Sequence, residues 1–144
     1  MTKRAIRTKK SGGATTVAGY DARQAPVLAA LCRALRREID AAPPAALSRI
    51  WHGSPVWFVG ETPVVGYNAS ARRDVQLLFW NGQAFEDPGL APIGKFRAAE
   101  KRYTSAQEIE LAPLRRWLRR AGRELWDLGD LRERRGEHAR ERRR

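Results

Sequence analysis

Ile50-Trp51-His52-Gly53-Ser54-Pro55-Val56-Trp57-Phe58 places two tryptophans, one of the chain's two histidines, a glycine and a proline within nine residues. Gly53 and Pro55 mark a sharp turn, and Val56-Trp57-Phe58 opens an extended apolar run. The stretch reads as a junction, with helix before it and strands after it. Three apolar runs follow: Val56–Val59, Val64–Ala69 and Val75–Trp80. They are separated by Gly60-Glu61-Thr62-Pro63 and by Ser70-Ala71-Arg72-Arg73. Connections this short join antiparallel neighbours, so the runs predict a meander. Asn81-Gly82 is a turn signal closing the third strand, and Gln83–Pro92, broken by Asp87-Pro88-Gly89, reads as a loop with a helical turn. Lys95–Thr104 has helix-forming residues, but it follows Gly94 and stops at Thr104-Ser105, and it reads as a further strand.

Upstream, Val27, Leu28, Leu31, Cys32, Leu35 and Ile39 recur at helical spacing, with Arg33, Arg36 and Arg37 pointing elsewhere. Asp21 is placed to cap this helix, Pro26 fits its first turn, and Pro43-Pro44 ends it. Ala45–Ile50 then has room for one or two more helical turns. Downstream, Ser105-Ala106-Gln107-Glu108 fits a capping box, and Pro113 starts the C-terminal helix. Leu114, Trp117, Leu118, Ala121 and Leu125 form that helix's apolar stripe; Arg115, Arg116, Arg119, Arg120 and Arg123 form its wet face. The expected fold is α+β and two-layered: an antiparallel meander sheet of four to five strands, flanked by N-terminal and C-terminal helices.

Hydrophobic residues make up 42% of the 144 and charged residues 31%, as in an ordinary globular domain, but the formal net charge is +12. Residues 1–19 hold Lys3, Arg4, Arg7, Lys9 and Lys10 with no acid, and read as a disordered basic arm. Residues 130–144 hold seven arginines against four acids, a charged Arg/Glu-rich tail. The tails carry +5 and +3, which leaves +4 for a single domain over residues 20–129. Cys32 stands alone, which rules out an intrachain disulfide and points to the reducing cytoplasm. No apolar stretch is long enough to span a bilayer, so no membrane partner is expected. The acid-free, Thr-rich start has the composition of a transit peptide but not its amphipathic apolar face.

One family shares several of these strings. Trp51-His52-Gly53-Ser54-Pro55-Val56-Trp57-Phe58, Pro63-Val64-Val65-Gly66-Tyr67, Leu78-Phe79-Trp80, Gly94-Lys95-Phe96, Tyr103-Thr104-Ser105, Leu114-Arg115-Arg116-Trp117-Leu118 and Trp126-Asp127 together resemble the YdhG-like domains. The resemblance runs from about Arg23 to Leu128. It implies a small α+β fold with an antiparallel sheet and flanking helices, and it favours a strand over Lys95–Thr104. The family has no established general activity; some relatives are labelled frataxin-like iron chaperones. Iron held on a surface needs clustered carboxylates, because hard cations prefer oxygen ligands. Here Glu61, Asp74, Glu86, Asp87, Glu100, Glu108 and Glu110 are scattered, and only Glu86-Asp87 are adjacent.

No catalytic residue, metal ligand or cofactor is assigned. His52 is the best-placed imidazole, but no second His, Cys or acid stands at ligand spacing from it, and His138 falls in the charged tail. Ser54 lacks the Gly-x-Ser-x-Gly elbow. No phosphate loop, dinucleotide motif or zinc signature is present. The aromatic residues say more. Alternation along the strands makes both sheet faces substantially apolar. A sheet of four or five strands is roughly 20–25 Å wide, and a helix about 10 Å across, so two helices cover one face. Trp57 and Trp80 are expected on the uncovered face. Trp51, His52, Trp57, Tyr67 and Trp80 are the candidate surface for a small molecule, a protein partner or a second copy in a homodimer. Lys3, Arg4, Arg7, Lys9 and Lys10 are candidate contacts to nucleic acid, non-specific and salt-sensitive.

Overall fold

The structure, a computed structural model, describes residues 13–42, 46–70, 73–94 and 97–123. Two helices open it, α1 (Val17–Ala22) and α2 (Pro26–Ala41). Six strands follow: β1 (Leu47–Trp51), β2 (Ser54–Val59), β3 (Thr62–Ala69), β4 (Val75–Phe79), β5 (Ala91–Pro92) and β6 (Ala99–Tyr103). Helix α3 (Leu111–Arg123) closes the described chain. The sheet is antiparallel throughout, in the order β1-β2-β3-β4-β6-β5. The expected two-layer α+β meander is therefore present, with six strands because β1 and the two-residue β5 extend its edges.

The β1 strand is the main departure. Helical turns are expected over Ala45–Ile50, yet Leu47–Trp51 pairs residue for residue with β2, from Leu47 opposite Phe58 to Trp51 opposite Ser54. The cause lies in the turn. His52 and Gly53 have φ of 51° and 82°, so both central residues are left-handed, as a two-residue hairpin of the primed type requires. The turn is thus His52-Gly53 itself, and it folds the preceding residues back as a strand. Local helix propensity is too weak to oppose that pairing.

A second departure is at the start. The basic arm expected over 1–19 ends sooner: Thr16 accepts the Gly19 N–H on its side-chain oxygen at 3.0 Å, capping α1, and Val17 is buried. Asp21, expected as the cap of the next helix, is instead a wholly buried residue inside α1. Pro26 does begin α2, and Leu28, Leu31, Cys32, Leu35 and Ile39 are buried, but Val27 is 59% exposed. At the C-terminal end Leu114, Trp117, Leu118 and Ala121 form the buried stripe, with Pro113 in the first turn; Leu125 lies outside the described residues. The expected capping box is displaced toward Thr104. The Glu108 carboxylate accepts the Thr104 N–H, while Ser105 makes no side-chain cap to the short 3-10 turn Ala106–Glu108.

Register decides what faces the helices. Trp57, Val65, Phe79 and Ala99 stand opposite one another across β2, β3, β4 and β6; Val56, Gly66, Leu78 and Glu100 form the neighbouring row. The first row belongs to one core with Leu31, Leu35, Ile39, Leu114, Trp117 and Leu118, so the helices cover that face. Trp57 is therefore not on the face of Trp80, as expected, but on the opposite one, fully buried. A register shift between Trp57 and Phe58 lets Val64 and Val65 both reach this core.

Buried polar contacts tie the two layers together. Tyr67 Oη donates to Asp21 Oδ1 at 2.6 Å, and Arg36 Nε lies 3.3 Å from Asp21 Oδ2. Trp57 Nε1 donates to Asp40 Oδ1 at 2.7 Å. Tyr20 Oη accepts the Ala69 N–H at 2.9 Å and donates to Asn68 Oδ1 at 3.2 Å. Burial pushes the Asp21 carboxyl above its ordinary value, against the opposing pull of the Tyr67 hydroxyl and of Arg36 and Arg33. Burial likewise pushes the Cys32 thiol up to about 12, so it is an inert core residue.

Candidate functional site

The sheet face that no described helix covers carries an aromatic cluster at the β1–β2 turn. Alternation along β1 sends Arg49 and Trp51 to this face, and Trp80, immediately after β4, joins them from the far side of β3. The Trp51 ring lies 6.1 Å from Trp80, 5.5 Å from Phe58 in an edge-on arrangement, and 4.4 Å from the His52 imidazole, centroid to centroid. Arg49 places its guanidinium 4.2 Å from the Phe58 ring centre. The left-handed turn is what swings His52 out to solvent beside Trp51.

Beside this cluster is a cleft of about 190 Å3, walled by Trp51, His52 and Trp80, floored by Val56, Gly66 and Leu78, and edged by Ser54, Asn68 and Gln76. Gly66 makes the floor possible. A Cβ there would stand 2.7 Å from the Pro55 carbonyl oxygen, 3.2 Å from Val56 Cγ2 and 3.4 Å from Trp80 Cζ3. A glycine within an apolar strand run is the sequence signal for such a close approach.

The edge of the cleft is polar and already organised. Ser54 Oγ donates to Asn68 Oδ1 at 3.2 Å, the same oxygen that receives Tyr20 Oη. Gln76 Nε2 donates to Glu100 Oε1 at 2.6 Å, and Arg102 bridges Glu100 and Asp74 at 3.1 and 3.2 Å. The lining itself contains no carboxylate, lysine or arginine. Such a site can stack against a flat or aliphatic group and meet polar atoms with hydroxyl and amide groups. The Ser54 hydroxyl is bonded to an amide oxygen, not to a base, so the geometry offers no activated nucleophile. Among the described residues no three His, Cys, Asp or Glu side chains come together as a metal-binding group.

Of the five candidate surface residues, Trp51, His52, Tyr67 and Trp80 line this cleft, Tyr67 while its side chain is buried toward the helices, together with residues that sequence reasoning missed, chiefly Val56, Gly66 and Leu78. Trp57 and the Tyr67 side chain are buried on the opposite, helix-covered face, at 0% and 2% exposure, with their polar atoms bonded to Asp40 and Asp21. Lys3, Arg4, Arg7, Lys9 and Lys10 lie outside the described residues. Among the described residues no helix is long and apolar enough to cross a membrane. Comparison with protein-family models, with curated proteins and with solved structures gives no match.

Proposed function

We propose that the protein is a non-enzymatic, cytoplasmic binding module of the YdhG-like type, which captures a small molecule or protein segment in the cleft between Trp51 and Trp80. The observation that carries the reading is a sheet face left uncovered by the described helices and hollowed beside an aromatic cluster. Gly66 lets the Pro55 carbonyl and the Trp80 ring close in on the β3 backbone beside the cleft. A lining without carboxylate, lysine or arginine favours a planar or aliphatic group as the part of the ligand that enters.

The test is ligand-observed NMR on the intact chain with a panel of planar heteroaromatic, aliphatic and sugar ligands, repeated on Trp80→Gln. Ligands retained by the parent and lost by a variant that still melts cooperatively support the reading. A parent that captures none of them, eluting as a monomer from a sizing column, removes the surface. Elution as a dimer that Trp80→Gln dissociates identifies the occupant as a second copy.

A further inference from the structure

The mild charge of the body conceals a segregation. Helix α2 carries Arg33, Arg36 and Arg37, and α3 carries five more arginines. Against these eight the two helices hold only Glu38 and Asp40, a balance of +6. Residues 20–129 total +4, so the two helices alone carry more than the whole excess; the six strands, with Arg49, Lys101 and Arg102 against Glu100, carry +2. Because both helices bury their apolar stripes against the sheet, the excess lies on the outer surface of one layer.

Part of it is neutralised locally. Arg36 pairs with Asp21, Arg115 with Glu38 at 2.8 Å, and Arg116 with Asp87 at 2.9 Å. Arg120 donates to the Ala84 and Phe85 carbonyls. Arg33, Arg37, Arg119 and Arg123 form no ion pair among the described residues. Arg37 and Arg119, one from each helix and both exposed, line a groove of about 400 Å3 between the end of α2 and the middle of α3. Arg115, Arg119 and Arg123 recur every four residues, about 6 Å apart along the helix axis.

We infer that this helical layer docks the phosphate backbone of duplex nucleic acid, with Arg37 and Arg119 at its centre. The surface is separate from the aromatic cleft, which lies on the other side of the sheet. The two helices use arginine alone as their cation, and a planar guanidinium holds phosphate oxygens in pairs where a lysine offers a point charge. An anionic membrane is the poorer match: among the described residues the large exposed apolar side chains on the helices are Val27 and Leu111, one on each, too few to anchor in lipid. Contact limited to phosphates makes the binding indifferent to sequence and steep in salt.

The experiment uses the full chain and fluorescence anisotropy with a labelled 20-base-pair duplex of arbitrary sequence, titrated over a series of salt concentrations. Arg37→Glu/Arg119→Glu is compared with the parent, with the milder Arg37→Gln/Arg119→Gln, and with a tail control, Arg7→Gln/Lys9→Gln/Lys10→Gln. Each phosphate contact contributes about 0.9 to the log–log salt slope. The Gln pair is expected to lower that slope by about 2 and to weaken binding at least tenfold at low salt, with unchanged melting. The Glu pair is expected to weaken it further. An unaltered slope in both pairs, with binding lost only in the tail control, overturns the inference and places the contacts in the tails alone. No binding by the parent overturns it as well. Tighter association with phosphatidylcholine vesicles containing 30% phosphatidylserine, lost in the same pairs, assigns the surface to lipid instead.

Discussion

Gly66→Ala tests the floor of the aromatic cleft without removing any aromatic residue. Gly66 does not have a positive φ, so alanine is allowed by the backbone and the whole penalty is steric. The new methyl would meet the Pro55 carbonyl oxygen at 2.7 Å, a contact no side-chain rotation can relieve, and Val56 Cγ2 at 3.2 Å. The 3.4 Å approach to Trp80 is ordinary van der Waals contact. Forcing a methyl into such a site costs about 1–3 kcal/mol. The alanine recovers about 0.4–1 kcal/mol by stiffening the unfolded chain. A net loss of about 1–2 kcal/mol is expected, and for a domain of this size that lowers Tm by roughly 4–8 °C. Thermal melting by circular dichroism and urea titration with an unchanged m-value measure it. Because a backbone oxygen sets the limit, Trp80→Leu added to Gly66→Ala should restore little. A variant that melts at or above the parent, or full rescue by the second change, would refute the close approach of β2 to β3 over the cleft.

Three other outcomes follow from the layers. Trp57→Ala removes a fully buried ring from beneath the helices and should cost about 3–5 kcal/mol by urea titration, whereas a loss below 1 kcal/mol would return Trp57 to the solvent-facing side. Removing residues 1–12 should leave the melt unchanged. Removing 1–19 also takes the Thr16 cap and buried Val17, and should cost about 2–4 kcal/mol; equal melts for the two truncations would show that α1 does not pack. Asp21 has a carboxyl pKa raised above its unfolded value, so its contribution favours folding at low pH and declines as pH rises through the folded pKa. The stability of the parent minus that of Asp21→Asn should therefore be larger at pH 4 than at pH 7, and the reverse order would mean that Arg36 and Tyr67 outweigh burial.

The layered meander was legible because its signals are local: apolar runs, short connections, and helical periodicity at Leu28–Ile39 and Leu114–Ala121. The β1 strand was not legible because it depends on His52 adopting a left-handed conformation usually taken by asparagine or glycine. With β1 read as helix, the hairpin that carries Trp51 was missed and the turn was placed too far along. The face of Trp57 was misjudged for a different reason. Alternation within one strand assigns two sides but not which side of the next strand matches, and only the cross-strand register of Trp57 with Val65 supplies that. The charge asymmetry escaped because the body sums to +4, and a sum hides two helices that together carry +6.

The order β1-β2-β3-β4 has a kinetic consequence. Each of these strands lies beside its neighbour in the chain, so the four can assemble through short loop closures as they emerge, fast and with little entropy lost. The rest of the sheet and the second helix that covers it arrive later: β6 follows β5 in the chain yet pairs with β4, and α3 comes last in the described chain. Until α3 docks, the meander holds Trp57, Val65 and Phe79 over a core still lacking Leu114, Trp117 and Leu118. The vulnerable moment in the protein's life is then a pre-formed sheet with one side only partly covered, and α3 acts as the latch that ends it.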